Sequence, residues 1–182
     1  MAGIDESIPF HPLHIAVLTV SDSRTMETDK SGALLEDRAK QAGHHVVSRV
    51  ICTDDHDKLV AQLQAWVDDP EIEVVITTGG TGVTGRDVTP EAVEHVGEKH
   101  IPGFGELFRW QSYQTISTST IQSRATAVVA KGTYIFALPG STGACRDGWE
   151  GILKDQLDIR HRPCNFAELI PRLQEHGSCH HH

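Results

Sequence analysis

The chain has 182 residues, 38% of them hydrophobic and 23% charged, with a formal net charge of −9. That is the length of one ordinary domain, enough to bury roughly 70% of the unfolded surface without disulfide or metal staples. The acidic balance excludes a general nucleic-acid surface, whose affinity comes from clustered Lys and Arg, and no apolar run reaches the ~18 to 20 residues of a membrane span.

Residues 1–12 carry neither a basic start nor an apolar stretch, so a short flexible arm is expected rather than a secretory leader, which points to the cytoplasm. The four cysteines, Cys52, Cys145, Cys164 and Cys179, are far apart and form no C-x-x-C pair, as reduced thiols would be. Residues 174–182 end in His180, His181 and His182 and are set aside as a flexible tail, tag-derived in composition. A single domain over 13–173 remains, with no repeat or linker.

The first strand is expected over Leu13 to Val20 and is followed, from Ser31 to Ala42, by a helix that Gly43 ends. A second strand runs from His44 to Cys52. Leu59, Leu63, Trp66 and Val67 then fall on one helical face, with Asp54 or Asp55 at or just before the N-terminus of that helix. Val74 to Thr78 forms another strand, and Pro90 suits the first turn of a helix reaching about Val96. Residues 101–132 are less regular, with two short helices expected. Tyr134 to Leu138 is the last strand, and a second glycine-rich turn leads into a closing helix. Alternating strands and helices imply an α/β fold, a mostly parallel sheet covered on both faces, with ligands outside the carboxyl ends of its strands.

Gly80-Thr81-Gly82-Val83-Thr84-Gly85 spells G-x-G-x-x-G, but a dinucleotide fingerprint follows a first strand and opens directly into a helix, whereas here Arg86, Asp87 and Pro90 intervene. Glycines still allow backbone N–H groups to converge on an anion. Asp87 is out of place beside a phosphate, which it would repel by on the order of 1 to 4 kcal/mol at about 4 Å. Two readings stand level: a cap or turn bond near the next helix, or a ligand of a bridging Mg²⁺. Trp66, Trp110 and Trp149 are read as core or interface, the histidines as surface or satisfied groups, and Cys145 as a buried structural thiol.

The stretch "TTGGTGVTGRDVTPEAV", with "LPGST", "SRATA" and the early "TVSDS" and "DKSG", resembles the MoaB/MogA family of molybdenum-cofactor biosynthesis proteins over residues 13 to 173, nearest the MoaB branch. The resemblance implies a three-layer α/β/α fold, Rossmann-like, a homo-oligomer (trimer or hexamer), and binding of molybdopterin. It implies Mg²⁺-dependent transfer of AMP from ATP to molybdopterin, with pyrophosphate released, and other proteins of the same pathway as partners. A non-catalytic molybdopterin-binding or carrier protein is the alternative. Carried across, it assigns catalysis and the metal to Asp54 and Asp87, with Asp55 in place of Asp54 if the match slips by one. Substrate or nucleotide contacts fall to Ser21, Asp22, Ser31, Gly32, Gly79, Gly80, Thr81 and Gly82, and to Pro139, Gly140 and Ser141. Arg86 or Arg124 would offset charge on the leaving pyrophosphate.

Overall fold

The computed structural model describes residues 1–175. Its first element, β1 (Gly3–Ile4), pairs antiparallel with His161–Arg162. Phe10 then packs its ring 5.2 Å from that of His44, with the Arg160 guanidinium over the Phe10 ring, 5.2 Å from its centroid. Residues 1–12, expected as a free arm, are thus docked by a short strand and an aromatic anchor. Cys179 and the terminal histidine tract lie outside the described residues.

β2 (His14–Val20) sends Ile15 and Val17 into one core and Ala16, Leu18 and Val20 into another, since successive strand residues face opposite sides. Both faces are covered, so the strand is apolar throughout. α1 (Lys30–Gln41) follows, capped by Asp29, and Gly43 turns the chain at φ +98° into β3 (His45–Cys52). α2 (His56–Val67), β4 (Val74–Thr78) and α3 (Thr89–Val96) come next, then β5 (Lys99–His100) and α4 (Pro102–Ile116). β6 (Thr126–Ala130), β7 (Thr133–Leu138) and α5 (Thr142–Gly148) complete the main layers. A π-helical turn (Trp149–Leu153), α6 (Lys154–Gln156) and β8 (His161–Arg162) lead to a last 3-10 turn.

The main sheet has the order β3-β2-β4-β7-β6-β5. β2, β3, β4 and β7 are parallel, whereas β6 and β5 extend one edge by antiparallel pairing. Leu59, Leu63, Ala92 and Val93 bring α2 and α3 onto one face; Leu35, Phe104, Phe108 and Cys145 bring α1, α4 and α5 onto the other. The result is the three-layer architecture with a mostly parallel sheet.

The main departure lies in residues 101–132. Instead of two short helices there is one 15-residue helix, α4, a 3-10 turn (Ser117–Gln122) and the strand β6. Lys131 and Gly132 both take positive φ, +47° and +85°, and form the two-residue turn of a β6–β7 hairpin.

Candidate functional site

β2 and β4 are neighbours, but the chain leaves them on opposite faces of the sheet: through α1 after β2, through α3 after β4. A crevice opens at such a switch point, at the carboxyl ends of the strands. A cavity of about 580 Å³ lies there, walled by Asp22 and Arg24 after β2, Asp54 after β3, Gly80 and Asp87 after β4, and Gly140 and Ser141 after β7. A second lobe of about 290 Å³ shares Gly80, Asp87, Gly140 and Ser141 and is closed by Phe108, Ser112 and Ile116 of α4. One lobe is rich in charge; the other offers an apolar wall.

The glycine loop is built with its carbonyls turned into the protein. Gly79 O accepts the Thr89 hydroxyl at 2.8 Å, Gly80 O the Thr89 N–H at 3.1 Å, Thr81 O the Arg124 N–H at 2.9 Å and Gly82 O the Arg124 Nε–H at 2.7 Å. Across the crevice, Pro139 O accepts the Thr78 hydroxyl at 2.9 Å and Gly140 O the Ser31 hydroxyl at 2.8 Å. In a trans peptide the N–H points opposite to the carbonyl. The N–H groups that follow these carbonyls, including those of Gly80, Thr81, Gly140 and Ser141, are therefore directed away from the bonded side. Such an array favours anions without net positive charge.

Gly79 and Gly80 make the turn possible, at φ +104° and +68°. A Cβ at Gly79 would overlap Val20 O, and one at Gly80 would overlap the Thr89 hydroxyl. Gly85, third in the G-x-G-x-x-G pattern, has nothing within 4 Å of a Cβ placed on it. A dinucleotide fingerprint needs its last glycine for close helix packing, so this pattern is coincidental.

Three carboxylates surround the loop. Asp22 accepts the Asp54 N–H at 3.0 Å and pairs with Arg86; the Arg86 and Asp54 bonds hold its carboxyl below the usual range. Asp54 goes the other way: burial, and then repulsion from Asp22 and Asp87, push its carboxyl up. Burial also pushes Asp87 up, but bonds from the Thr84 hydroxyl and N–H and from Gly82 outweigh it, leaving the group lowered and ionised. Asp87 neither caps α3, whose N-cap position is Val88, nor binds the Thr89 N–H. Its bonds close the loop on itself.

No group of three or more His, Cys, Asp or Glu among the described residues is disposed to hold a metal. Asp54 and Asp87 nevertheless suit Mg²⁺ of the kind held by one or two carboxylates plus substrate phosphates. Burial is the main cause of the raised Asp54 carboxyl, and the repulsion from Asp22 and Asp87 that adds to it is what a cation would relieve.

Most residues expected from the sequence converge here. Ser21 stands at the rim, its hydroxyl accepting the Ser23 and Arg24 N–H groups, and Ser141 caps α5 through the Ala144 N–H at 3.1 Å. Of Asp54 and Asp55, Asp55 caps α2 through the Lys58 N–H at 3.0 Å, while Asp54 lines the cavity. Four residues line neither lobe, among them Arg86, which pairs with Asp22. Ser31 is buried and supports Gly140 from below; Gly32 is buried because a Cβ there would overlap Asp29 and Thr19. Arg124 lies behind the loop, bordering a separate cavity with Pro90, Glu94 and Arg109. Arg24 was not singled out in the sequence, yet it lines the cleft and bonds to both Ser31 and Gly140 O. Its signal was a lone cation in the turn after the first strand.

A family model described as "Probable molybdopterin binding domain" matches residues 16–159. Molybdenum cofactor biosynthesis protein B of Escherichia coli (strain K12) is 51% identical over 160 residues, covering 88% of this chain and 94% of that protein. A crystal structure of a molybdenum cofactor biosynthesis protein B superposes with a TM-score of 0.81 at 38% identity, covering 90% of this chain and 96% of that one. The tungsten cofactor synthesizing protein MoaB from Pyrococcus furiosus gives 0.70 at 35% identity, covering 79% and 92%.

Proposed function

The chain belongs to the MoaB family of molybdenum-cofactor biosynthesis proteins, and we propose that it transfers AMP from ATP to molybdopterin, giving adenylylated molybdopterin and pyrophosphate. The observation that carries this reading is the inward-turned row of carbonyls at Gly79 to Gly82, facing Gly140, beside the Asp54–Asp87 pair. A site for a neutral ligand has no use for that polarity.

The substrate supplies the nucleophile. An oxygen of the terminal molybdopterin phosphate bonds to the α-phosphorus of ATP as the bond to the β-phosphate breaks, and the electron pair leaves with pyrophosphate. Such transfers depend on positioning and on neutralising charge. The N–H groups of Gly80, Thr81, Gly140 and Ser141 orient the phosphates, and Arg24, itself 3.7 Å from the buried Asp29, braces Gly140 at the cleft wall. Arg86 has a smaller part, its charge being offset by Asp22. Asp54 and Asp87 would hold Mg²⁺, which when bound supplies the positive charge that lets carboxylates and phosphates share the cleft. The lobe walled by Phe108 and Ile116 suits a flat pterin ring.

Exposed Leu107, Trp110, Tyr113 and Ile116 on α4 support a homo-oligomer, a trimer or hexamer, since isolated surface helices rarely leave such a run uncovered. The experiment is product formation: protein, molybdopterin, ATP and Mg²⁺, with adenylylated molybdopterin and pyrophosphate detected and EDTA as control. Metal-dependent turnover is expected. Pterin binding with no product would overturn transfer and leave a carrier.

A further inference from the structure

Arg124 reaches the glycine loop from the side opposite the cleft. Its Nε–H donates to Gly82 O at 2.7 Å, its Nη2–H to Asp87 O at 2.8 Å and its backbone N–H to Thr81 O at 2.9 Å, while Nη1 pairs with Glu91 in the first turn of α3. One guanidinium therefore grips both ends of the Gly82–Asp87 loop. Between those ends the chain is lightly held: Val83 is 66% exposed, Arg86 pairs with Asp22, and the remaining bonds run to Asp87 from Gly82 and between Asp87 and Thr84.

We propose that Arg124, oriented by Glu91, is a positioning residue that sets where the Asp87 carboxylate stands and which way the Thr81 and Gly82 peptides face. The planar fork of arginine matches two carbonyls at once, which the point charge of lysine does not. Arg124 borders the cavity behind the loop, so it acts through the loop rather than on pyrophosphate. The effect on turnover rests on the AMP-transfer reading; the effect on the loop does not.

The test compares wild type, Arg124→Lys and Arg124→Gln by amide hydrogen exchange, thermal unfolding and AMP transfer. In both variants the Thr84 and Asp87 amides exchange about tenfold faster or more, while β4 amides stay protected. In the transfer assay kcat falls about tenfold or more with little change in KM for ATP, the pattern of lost positioning. Lysine fails to rescue either readout. Unchanged loop exchange in folded Arg124→Gln overturns the proposal, as does faster exchange with wild-type kcat. If Arg124→Gln does not fold, Arg124→Lys carries both readings. A wild type without AMP transfer sinks the transferase reading alone, and loop exchange still decides whether Arg124 holds the loop.

Discussion

Asp22 holds the backbone of Asp54: its Oδ1 accepts the Asp54 N–H at 3.0 Å across 32 residues of sequence. The loop after β2 thereby fixes the loop after β3, and the acidic residue at the cleft is placed by another acid. The adjacent Asp55 faces α2 instead, where its side chain caps the helix.

The two neighbours should consequently fail in opposite ways. Asp55→Ala loses an N-cap and about 1 kcal/mol of stability, with AMP transfer intact. Asp54→Ala loses transfer, on the order of 10²-fold or more by analogy with other charge-stabilising groups. Its melting temperature stays equal or rises, because the raised carboxyl pKa shows that the folded protein disfavours the Asp54 charge. Thermal denaturation and product assays on both variants check the pair. Loss of transfer in Asp55→Ala alone would reverse the assignment.

A second contrast lies within the loop. A Cβ at Gly82 would stand 2.8 Å from Asp87 Oδ2, so Gly82→Ala has to move that carboxylate. Gly85 has open space and no left-handed backbone. Gly85→Ala should change stability within about 0.5 kcal/mol and leave transfer unaltered, whereas Gly82→Ala should slow transfer about tenfold or more. Equal effects in the same assays would mean that Asp87 tolerates displacement.

His44 gives the protein a pH dependence apart from the cleft. It is 4% exposed, and its Nδ1 accepts the Leu13 N–H at 3.0 Å, a bond that protonation would remove. Burial pulls its pKa down to about 4; Asp158 opposes this, and His45 and His11 add to it. The unfolded chain binds the proton more readily, so the stabilisation is complete above the unfolded value of about 6.5 and is lost as pH falls from there toward 4. Between pH 7 and 5 the loss is on the order of 2 kcal/mol. Asn at this position keeps an acceptor and cannot titrate. Urea unfolding at the two pH values should show a smaller drop for His44→Asn than for wild type; equal drops would exclude His44 as the source.

The parallel core was legible because its signals are local. Apolar runs at Leu13 to Val20, Val74 to Thr78 and Tyr134 to Leu138 match β2, β4 and β7 to within a residue or so. Trp66 and Trp149 are buried, as core tryptophans would be, Trp110 is exposed, and Cys145 is a buried thiol. β6 was obscured because "TAVVA" begins right after the polar run at 117–124 and is rich in alanine. Its one clue, the Lys131–Gly132 turn, needs both residues at positive φ, and lysine does not advertise that. Asp87 was recognised as unusual, but its bonds to Thr84 depend on loop geometry that spacing does not encode. For Arg124, sequence supplies a cation and says nothing of which side of the loop it occupies.

β6 runs opposite to its neighbour β7, so its beginning, rather than its end, lies beside the carboxyl ends of the parallel strands. Residues that precede a strand normally fall at the far edge of such a sheet. Here the reversal brings Gln122 and Ser123, just upstream of β6, to the wall of the second lobe and sets Arg124 behind the glycine loop, so a segment that precedes a strand becomes part of the site. The direction of a single strand thus decides which stretch of chain is admitted to the site: with β6 parallel to β7, residues beyond Ala130 would occupy that place instead.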